Sequence, residues 1–151
     1  MATQWTAGTT SGQVLTAATL NTIGAAWESY TPTVKGGATT LTGTINYARY
    51  CQIQKTVIVQ VLFTATNTGA ANGIITVSYP ASLTPSNVAS RPIGTFFVQD
   101  TGTAFYVGLA MANNPCQGLA YGSVNNMGAN TPAMTIVSGD IIGLELTYEV
   151  A

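Results

Sequence analysis

Hydrophobic and polar side chains alternate with a period of two along much of the chain from Tyr30 onward. The alternation is cleanest near the C-terminus, where Ile142, Leu144, Leu146, Tyr148 and Val150 share one face. Successive side chains of a strand point to opposite faces, so the pattern predicts antiparallel strands with one face on a core. We predict strands at Tyr30–Val34, Ile45–Ile53, Thr56–Thr66, Gly73–Tyr79, Ile93–Gln99, Thr103–Met111, Leu119–Val124, Met134–Val137 and Ile141–Val150.

Turn residues separate these stretches at short intervals. Asp100-Thr101-Gly102 and Ser138-Gly139-Asp140 are short enough for hairpins, and Asn72-Gly73 ends a longer loop with residues that tolerate positive φ. Many short strands joined by hairpins and a few long connections are typical of β-sandwiches. We therefore predict an all-β fold, an antiparallel β-sandwich that is jelly-roll-like, over residues 30–151.

Some predicted strands are apolar on both faces. The second face of Thr56–Thr66 carries Ile58 and Leu62, and Thr103–Met111 places Phe105, Val107, Leu109 and Met111 opposite small residues and Tyr106. Such a strand needs cover on both sides, and in a two-layer domain the second cover comes from another subunit. The pattern thus predicts a homo-oligomer joined by apolar strand faces.

Residues 1–29 form a predicted N-terminal arm that differs from the rest of the chain. Thr16 fits as the cap of one short helix at Thr16–Ile23, which is too short to be stable unless it docks on something. The docking surface is either the arm's own domain or a neighbouring subunit or scaffold. The candidate docking side chains are Trp5, Val14, Leu15, Leu20, Ile23 and Trp27.

Composition narrows the functions open to this chain. It has four basic and five acidic residues and no histidine, 6% charged in all, against roughly 25% in an ordinary soluble domain. Four dispersed cations form no patch for nucleic acid. No apolar run is long enough to span a bilayer, and the N-terminus has no secretory signal pattern. We predict a non-enzymatic protein that associates with other proteins and binds neither nucleic acid nor membrane.

Specific chemistry is sparse. Cys51 and Cys116 have no CxxC spacing and no histidine beside them, so buried reduced thiols are the main interpretation and a disulfide the lesser one. Glu145 and Glu149 share a strand face at roughly 13 Å, too far for a glycosidase pair. Asp140 suits a turn, where Asp bonds nearby backbone. We predict no catalytic residue, no cofactor and no metal site.

A neutral glycan is the one ligand that the sequence leaves open. Aromatic faces and side-chain amides bind sugars without charge. The candidate glycan contacts are Tyr106, Tyr121, Asn113 and Asn114. Tyrosine is also common in protein–protein interfaces. The same residues could therefore belong to a subunit interface instead of a glycan-binding surface.

Three stretches resemble structural proteins of tailed-bacteriophage virions. Residues 12–23 read GQVLTAATLNTI, residues 26–32 read AWESYTP, and residues 48–57 read ARYCQIQKTV, which is similar to the GRYTQIGKTV hairpin of that family. Ala48 and Gln54 stand where that hairpin has glycine. The resemblance covers roughly residues 12–66, with a looser match beyond.

The resemblance implies a virion role without catalytic residues, in tail-fibre, minor tail or head-decoration modules that are commonly trimeric. Because one arm and one small domain leave no room for a fibre shaft, we expect a trimeric capsid decoration (cement) protein that stabilises the head. The alternative is a tail-fibre or receptor-binding protein that contacts host glycan. The implied partners are further copies and the major capsid protein or tail proteins, at the surface of a virion assembled in the host cytoplasm.

Overall fold

The computed structural model describes residues 26–151, apart from residues 88, 90, 123, 124 and 131. The described residues form strands, turns and loops and no helix. The ten strands are β1 (Glu28–Ser29), β2 (Val34–Gly36), β3 (Thr39–Thr40), β4 (Gly43–Ile53), β5 (Thr56–Ala65), β6 (Ile75–Val77), β7 (Pro92–Asp100), β8 (Ala104–Met111), β9 (Cys116–Ala120) and β10 (Ile141–Glu149).

All ten strands belong to one curled antiparallel sheet that forms a half-barrel, in the order β1-β4-β5-β10-β7-β8-β9-β6-β2-β3. The C-terminal strand β10 lies in the middle, between β5 and β7, and places Leu144 opposite Val61 and Phe96. The predicted all-β antiparallel class is confirmed. The jelly-roll sandwich is not confirmed, because hydrogen bonds join every strand into a single sheet rather than two.

The core fills the concave side of the half-barrel. Along β5 the buried positions are Val57, Val59, Val61, Phe63 and Ala65, in strict alternation with half-buried ones. The predicted inward face of β10 is confirmed for Ile142, Leu144, Leu146 and Tyr148, which are buried, whereas Val150 follows the end of the strand and is half-buried. Strand pleating therefore explains which half of each hydrophobic stretch is covered. The largest fully buried side chains include Phe96, Ile75, Met127, Ile136 and Ile142.

Three predicted strands differ from the structure. Tyr30–Val34 is wrong, because residues 30–33 form the connection between β1 and β2 and only Val34 belongs to a strand. Leu119–Val124 is wrong in position, because β9 begins at Cys116 and a turn follows at Tyr121–Gly122, where Gly122 has φ +69°. Met134–Val137 forms no strand. Its apolar residues Met134 and Ile136 are buried, and the Ile136 carbonyl accepts a hydrogen bond from Gly69 N, so the segment plugs the core as a loop.

Both ends of the sheet are short. The outermost strands β1 and β3 have two residues each, and β1 pairs only with Tyr50 and Arg49 of β4. Nearer its start, β4 is interrupted by a β-bulge between Ile45 and Tyr47. The first residues of the sheet, Glu28 and Ser29, precede the predicted domain boundary at residue 30. The predicted helix at Thr16–Ile23 lies outside the described residues.

The β4–β5 hairpin turns on Gln54, which has φ +54°. This is the left-handed region, where a Cβ atom crowds the following carbonyl and glycine alone is unstrained. The Gln52 Nε2 group donates a hydrogen bond of 2.7 Å to the Gln54 carbonyl and helps to hold the turn. Gln54 thus adopts the backbone conformation that glycine prefers.

Replacing Gln54 by glycine is expected to raise the free energy of unfolding by about 0.5–1 kcal/mol, because the strain of the left-handed backbone disappears. Urea denaturation of the two proteins measures it. Gln52→Gly, two positions away in the strand, serves as the control and should lower stability. A Gln54→Gly protein no more stable than the parent would contradict the argument.

One buried carboxylate joins two turns at the same end of the sheet. Asp140 is almost fully buried, and its Oδ1 accepts from Thr101 N (2.9 Å) while its Oδ2 accepts from Val137 N (2.8 Å). The Thr101 hydroxyl donates to the Gly139 carbonyl at 2.6 Å. The sequence-based prediction that Asp140 bonds turn backbone is confirmed, and the bond also reaches the neighbouring hairpin.

Asp140→Ala is expected to lower the free energy of unfolding by about 2 kcal/mol, because two backbone N–H groups lose a charged acceptor. Thermal or urea denaturation gives the value. Asp100→Ala, at the tip of the β7–β8 hairpin where the side chain is only partly buried, is the matched control with a small effect. Equal losses in the two variants would argue against this role of Asp140.

Candidate interaction surface

The convex side of the sheet exposes large apolar side chains. On β8, Phe105 is 58% exposed, Val107 54% and Leu109 37%. The neighbouring small residues Gly108 and Ala110 face the core instead. The prediction that this strand is apolar on both faces is therefore confirmed, and its outer face is uncovered within the described residues.

These residues belong to an apolar patch that crosses five strands. In the register of the sheet, Val107 lies opposite Phe97, Phe97 opposite Gly143, Gly143 opposite Leu62, and Leu62 opposite Tyr47. Directly opposed residues share a face. Phe105 joins the row by stacking on Phe97, with ring centroids 5.2 Å apart. We call Tyr47, Leu62, Phe97, Phe105 and Val107 the outer apolar patch.

Gly143 gives the patch its flat centre. A Cβ atom at this position would collide with the ring of Phe97. The ring of Phe97 therefore lies directly over the backbone of β10, which places it level with its neighbours. Phe97 and Leu62 are half-buried, whereas Tyr47 is 44% exposed. The patch is accordingly a continuous apolar surface rather than separate projecting side chains.

A chain of polar side chains borders the patch on one side. Arg49 Nε donates to Gln60 Oε1 at 2.9 Å, and Gln60 Nε2 donates to Glu145 Oε1 at 3.2 Å. The two opposite charges are thus joined through one amide. Because each charge already has a partner within the sheet, covering this side leaves no unpaired charge buried.

Trp27 is the one predicted docking residue that lies within the described part of the chain. It is 44% exposed, and the Arg49 guanidinium lies over its ring at 4.7 Å from the centroid. The same guanidinium lies 5.7 Å from the centroid of Tyr47. The N-terminal arm therefore meets the sheet on its outer face, beside the patch. Trp5, Val14, Leu15, Leu20 and Ile23 lie outside the described residues.

The candidate glycan residues do not form one cluster. Tyr121 is 84% exposed in the turn after β9, whereas Tyr106 is half-buried against the core. Asn113 and Asn114 lie in the β8–β9 loop, at the other end of these strands, and Asn113 Nδ2 donates to Gln117 Oε1. Five residues of strand separate the two groups by roughly 16 Å.

The structure brings together a buried cluster of three tyrosine hydroxyls and one thiol, from Tyr30, Tyr79, Tyr148 and Cys116. This cluster was not predicted from the sequence. Tyr79 and Tyr148 pack edge to face with centroids 5.2 Å apart, and the Tyr148 hydroxyl donates to the Leu83 carbonyl at 2.7 Å. The Tyr79 hydroxyl is buried without a well-formed hydrogen bond among the described residues. Burial raises the pKa of Tyr79, Tyr148 and Tyr30. Spacing along the chain gave no signal for this cluster, because its members come from separate loops and strands.

Tyr148→Phe and Tyr79→Phe are expected to differ in sign. Removing the Tyr148 hydroxyl leaves the Leu83 carbonyl without its donor and costs about 1–2 kcal/mol. The Tyr79 hydroxyl has only the Cys116 thiol, a weak hydrogen-bonding group, beside it, so its removal is neutral or stabilising. Each variant is the other's matched control, since both delete one oxygen from the same ring pair. Equilibrium unfolding of both measures the difference, and equal destabilisation would be inconsistent with it.

Both cysteines are free and buried, as the sequence predicted. Burial raises the pKa of the Cys116 thiol to about 12 and also raises that of Cys51. A thiol with a raised pKa holds almost no thiolate at neutral pH and is a weak nucleophile. Neither cysteine is therefore placed for covalent chemistry.

Two further features bear on catalysis. A shallow groove of about 190 Å³ lies between the 85–91 loop and β10, and its charged lining residues are Arg91 and Glu149. Among the described residues no three His, Cys, Asp or Glu side chains come together in a way that could hold a metal ion.

No helix in the described part of the chain is long and apolar enough to cross a membrane.

Comparisons with known proteins found no relative. No family model matches the chain, and neither the curated proteins nor the solved structures contain a similar one. The outer apolar patch must therefore be interpreted from its own geometry.

Proposed function

We propose that this chain is a non-enzymatic structural protein of a phage virion, a homotrimer that decorates and stabilises the capsid. The observation that carries the proposal is the outer apolar patch, because a contiguous exposed apolar surface of a few hundred Å² is often a contact site. The resemblance of residues 12–57 to virion proteins supports the class. We also propose that the curled antiparallel sheet is a variant of the jelly-roll fold.

Association through this surface is driven by apolar contact. The patch contains no charged side chain, and the bordering Arg49 and Glu145 are joined through Gln60. Screening by salt weakens charge pairs and leaves apolar contacts largely unchanged. The trimer is therefore expected to persist from low to moderate ionic strength, whereas an assembly held by charges would dissociate.

Copy number tests the proposed role. Quantitative mass spectrometry of purified particles of the encoding phage would count this chain against the major capsid protein. Hundreds of copies, together with greater heat resistance of particles that carry it, would support decoration of the head. A few to a few dozen copies would point to a tail appendage, and absence from the particle would refute a virion role.

A tail-fibre or receptor-binding role is the second candidate, and one observation favours it. Tyr121 is the most exposed of the large hydrophobic side chains that the structure describes, at 84%, and an exposed aromatic ring is suited to stack on a sugar. Glycan-array binding by the full chain that is lost in Tyr121→Ala, with low copy number, would favour this role. Binding unchanged in Tyr121→Ala would exclude this residue as the contact.

A further inference from the structure

We infer that the outer apolar patch of one copy binds residues 1–25 of a neighbouring copy. The inference rests on the oligomer in the proposed function and names the two surfaces that form its interface. The arm is the donor and the patch is the acceptor.

The course of the chain at β1 favours a neighbouring copy over the arm's own domain. β1 runs antiparallel to β4 and pairs Glu28 with Tyr50 and Ser29 with Arg49. Residues that precede Glu28 therefore lead toward the Gln52 end of β4. Tyr47 and the rest of the patch lie toward the opposite end of that strand. The chain therefore enters β1 from the end of β4 that is remote from the patch.

The size of the patch favours an arm over flat contact between two domains. Five strands at about 4.8 Å and about four residues along each give an area on the order of 300 Å², whereas a stable interface buries about 800 Å² per partner. Two patches face to face would therefore fall well short. A segment of 25 residues is long enough to cross the patch and continue over the surface beyond it, and it brings the apolar side chains of Trp5, Val14, Leu15, Leu20 and Ile23.

Charge supports the same pairing. Residues 1–25 contain no Asp, Glu, Lys or Arg. The five side chains of the patch are uncharged as well. When the arm covers the patch, no unpaired charge loses its water. The large free-energy cost of burying an unpaired charge is therefore avoided. An acidic or basic partner segment would lack a complement here.

Donor and acceptor are different surfaces, so the contact is heterologous. A heterologous contact generates a ring when its rotation closes and an open filament when it does not. Two copies that exchange arms form the smallest closed assembly of this kind. Three copies, each of which gives its arm to the next, form the next smallest. The inference thus supplies a geometric basis for a trimer.

A single-tryptophan reporter tests the inference in the full-length chain. The chain contains two tryptophans, Trp5 and Trp27. Trp27→Phe keeps an aromatic ring beside Arg49 and leaves Trp5 as the one fluorophore of the arm. On this background, Phe105→Glu and Val107→Glu place a charge in the patch. Val137→Glu is the matched control, because Val137 is an exposed apolar residue (41%) in the Met134–Val137 loop, which packs on the concave side rather than the outer face.

The expected result links two measurements. Trp5 emission lies at short wavelength in the assembled protein and moves to longer wavelength on dilution, in step with dissociation seen by sedimentation. Phe105→Glu and Val107→Glu raise the dissociation constant at least about thirtyfold, as for hot-spot residues, and shift the emission. Circular dichroism shows that these variants remain folded, and Val137→Glu leaves both measurements unchanged.

Two results would overturn the inference, and each is distinct from failure of the proposed function. A trimer in which Trp5 emits as a solvent-exposed residue would keep the oligomer but remove the arm from its interface. A monomer with short-wavelength emission that is independent of concentration would show the arm bound to its own domain. Copy number in the virion is unaffected by either result and tests the function separately.

Discussion

Replacing Phe96 by alanine is expected to lower the free energy of unfolding by about 4 kcal/mol, because a fully buried aromatic ring is lost and its space is incompletely refilled. Phe96 lies in β7 near the centre of the sheet, opposite Leu144 of β10 and Gly108 of β8. A Cβ atom on Gly118 of β9 would lie 2.5 Å from its Cδ1 atom. The ring thus bridges the concave side of the half-barrel.

Urea denaturation at a concentration where the protein has one association state measures this loss. Tyr121→Ala is the control, since it removes a ring of similar size that is exposed and should cost less than about 1 kcal/mol. Gly118→Ala should also destabilise, and Phe96→Leu in the same chain should recover part of that loss by making room. A Phe96→Ala protein close to the parent in stability would contradict the assigned packing.

Alkaline pH is expected to destabilise the fold well before it affects a typical surface-charged domain. Burial raises the pKa of Cys116 from an ordinary 9 to about 12, and raises that of Tyr30, Tyr79 and Tyr148 above the ordinary 10. Below pH 9 these groups keep their protons in both states and the stability is fully present. Above it the unfolded chain releases protons first, so stability falls as pH rises toward the folded pKa values.

Cys116 alone accounts for a loss of about 2–3 kcal/mol at pH 11, and the tyrosines add to it above pH 10. Urea denaturation at pH 8, 9, 10 and 11 measures the decline. Cys116→Ala removes one titrating group and should make the decline between pH 9 and 11 less steep. Stability that stays level from pH 8 to 11 would show that the cluster does not keep its protons in the folded state.

The period-two pattern predicted the long central strands well because each has one side on the core. β5 and β10 alternate as their sequences do, and the two apolar faces of β8 were visible from Phe105, Val107 and Leu109. Short elements depended on contacts distant in sequence. Met134 and Ile136 have the composition of a strand, but their backbone bonds to loops rather than to a neighbouring strand.

Only part of the outer apolar patch could be predicted from the sequence, again because contacts between residues distant in sequence form the rest. The outer face of β8 could be predicted, since both faces of one strand are apolar. The rest of the patch could not, because Tyr47, Leu62 and Phe97 become neighbours only through the order in which β4, β5, β10 and β7 pair. Gly143, which lets the Phe97 ring lie flat, carries no signal in the sequence beyond its position in a strand. Cross-strand register is what a single sequence leaves undetermined.

The two-residue outer strands and the bulge in β4 affect whether further copies can add strands to the edges of the sheet. A sheet recruits further strands, and in the extreme templates fibrils, where a long straight edge offers a row of free backbone groups. β1 and β3 offer two residues each, and the bulge between Ile45 and Tyr47 breaks the regular spacing near the start of β4. A protein with so few charges has little repulsion to keep copies apart when they are crowded. β1 covers only Arg49 and Tyr50 of β4, and the bulge interrupts the part of β4 that β1 leaves uncovered. We therefore expect crowding to favour assemblies of fixed size over edge-to-edge growth of the sheet.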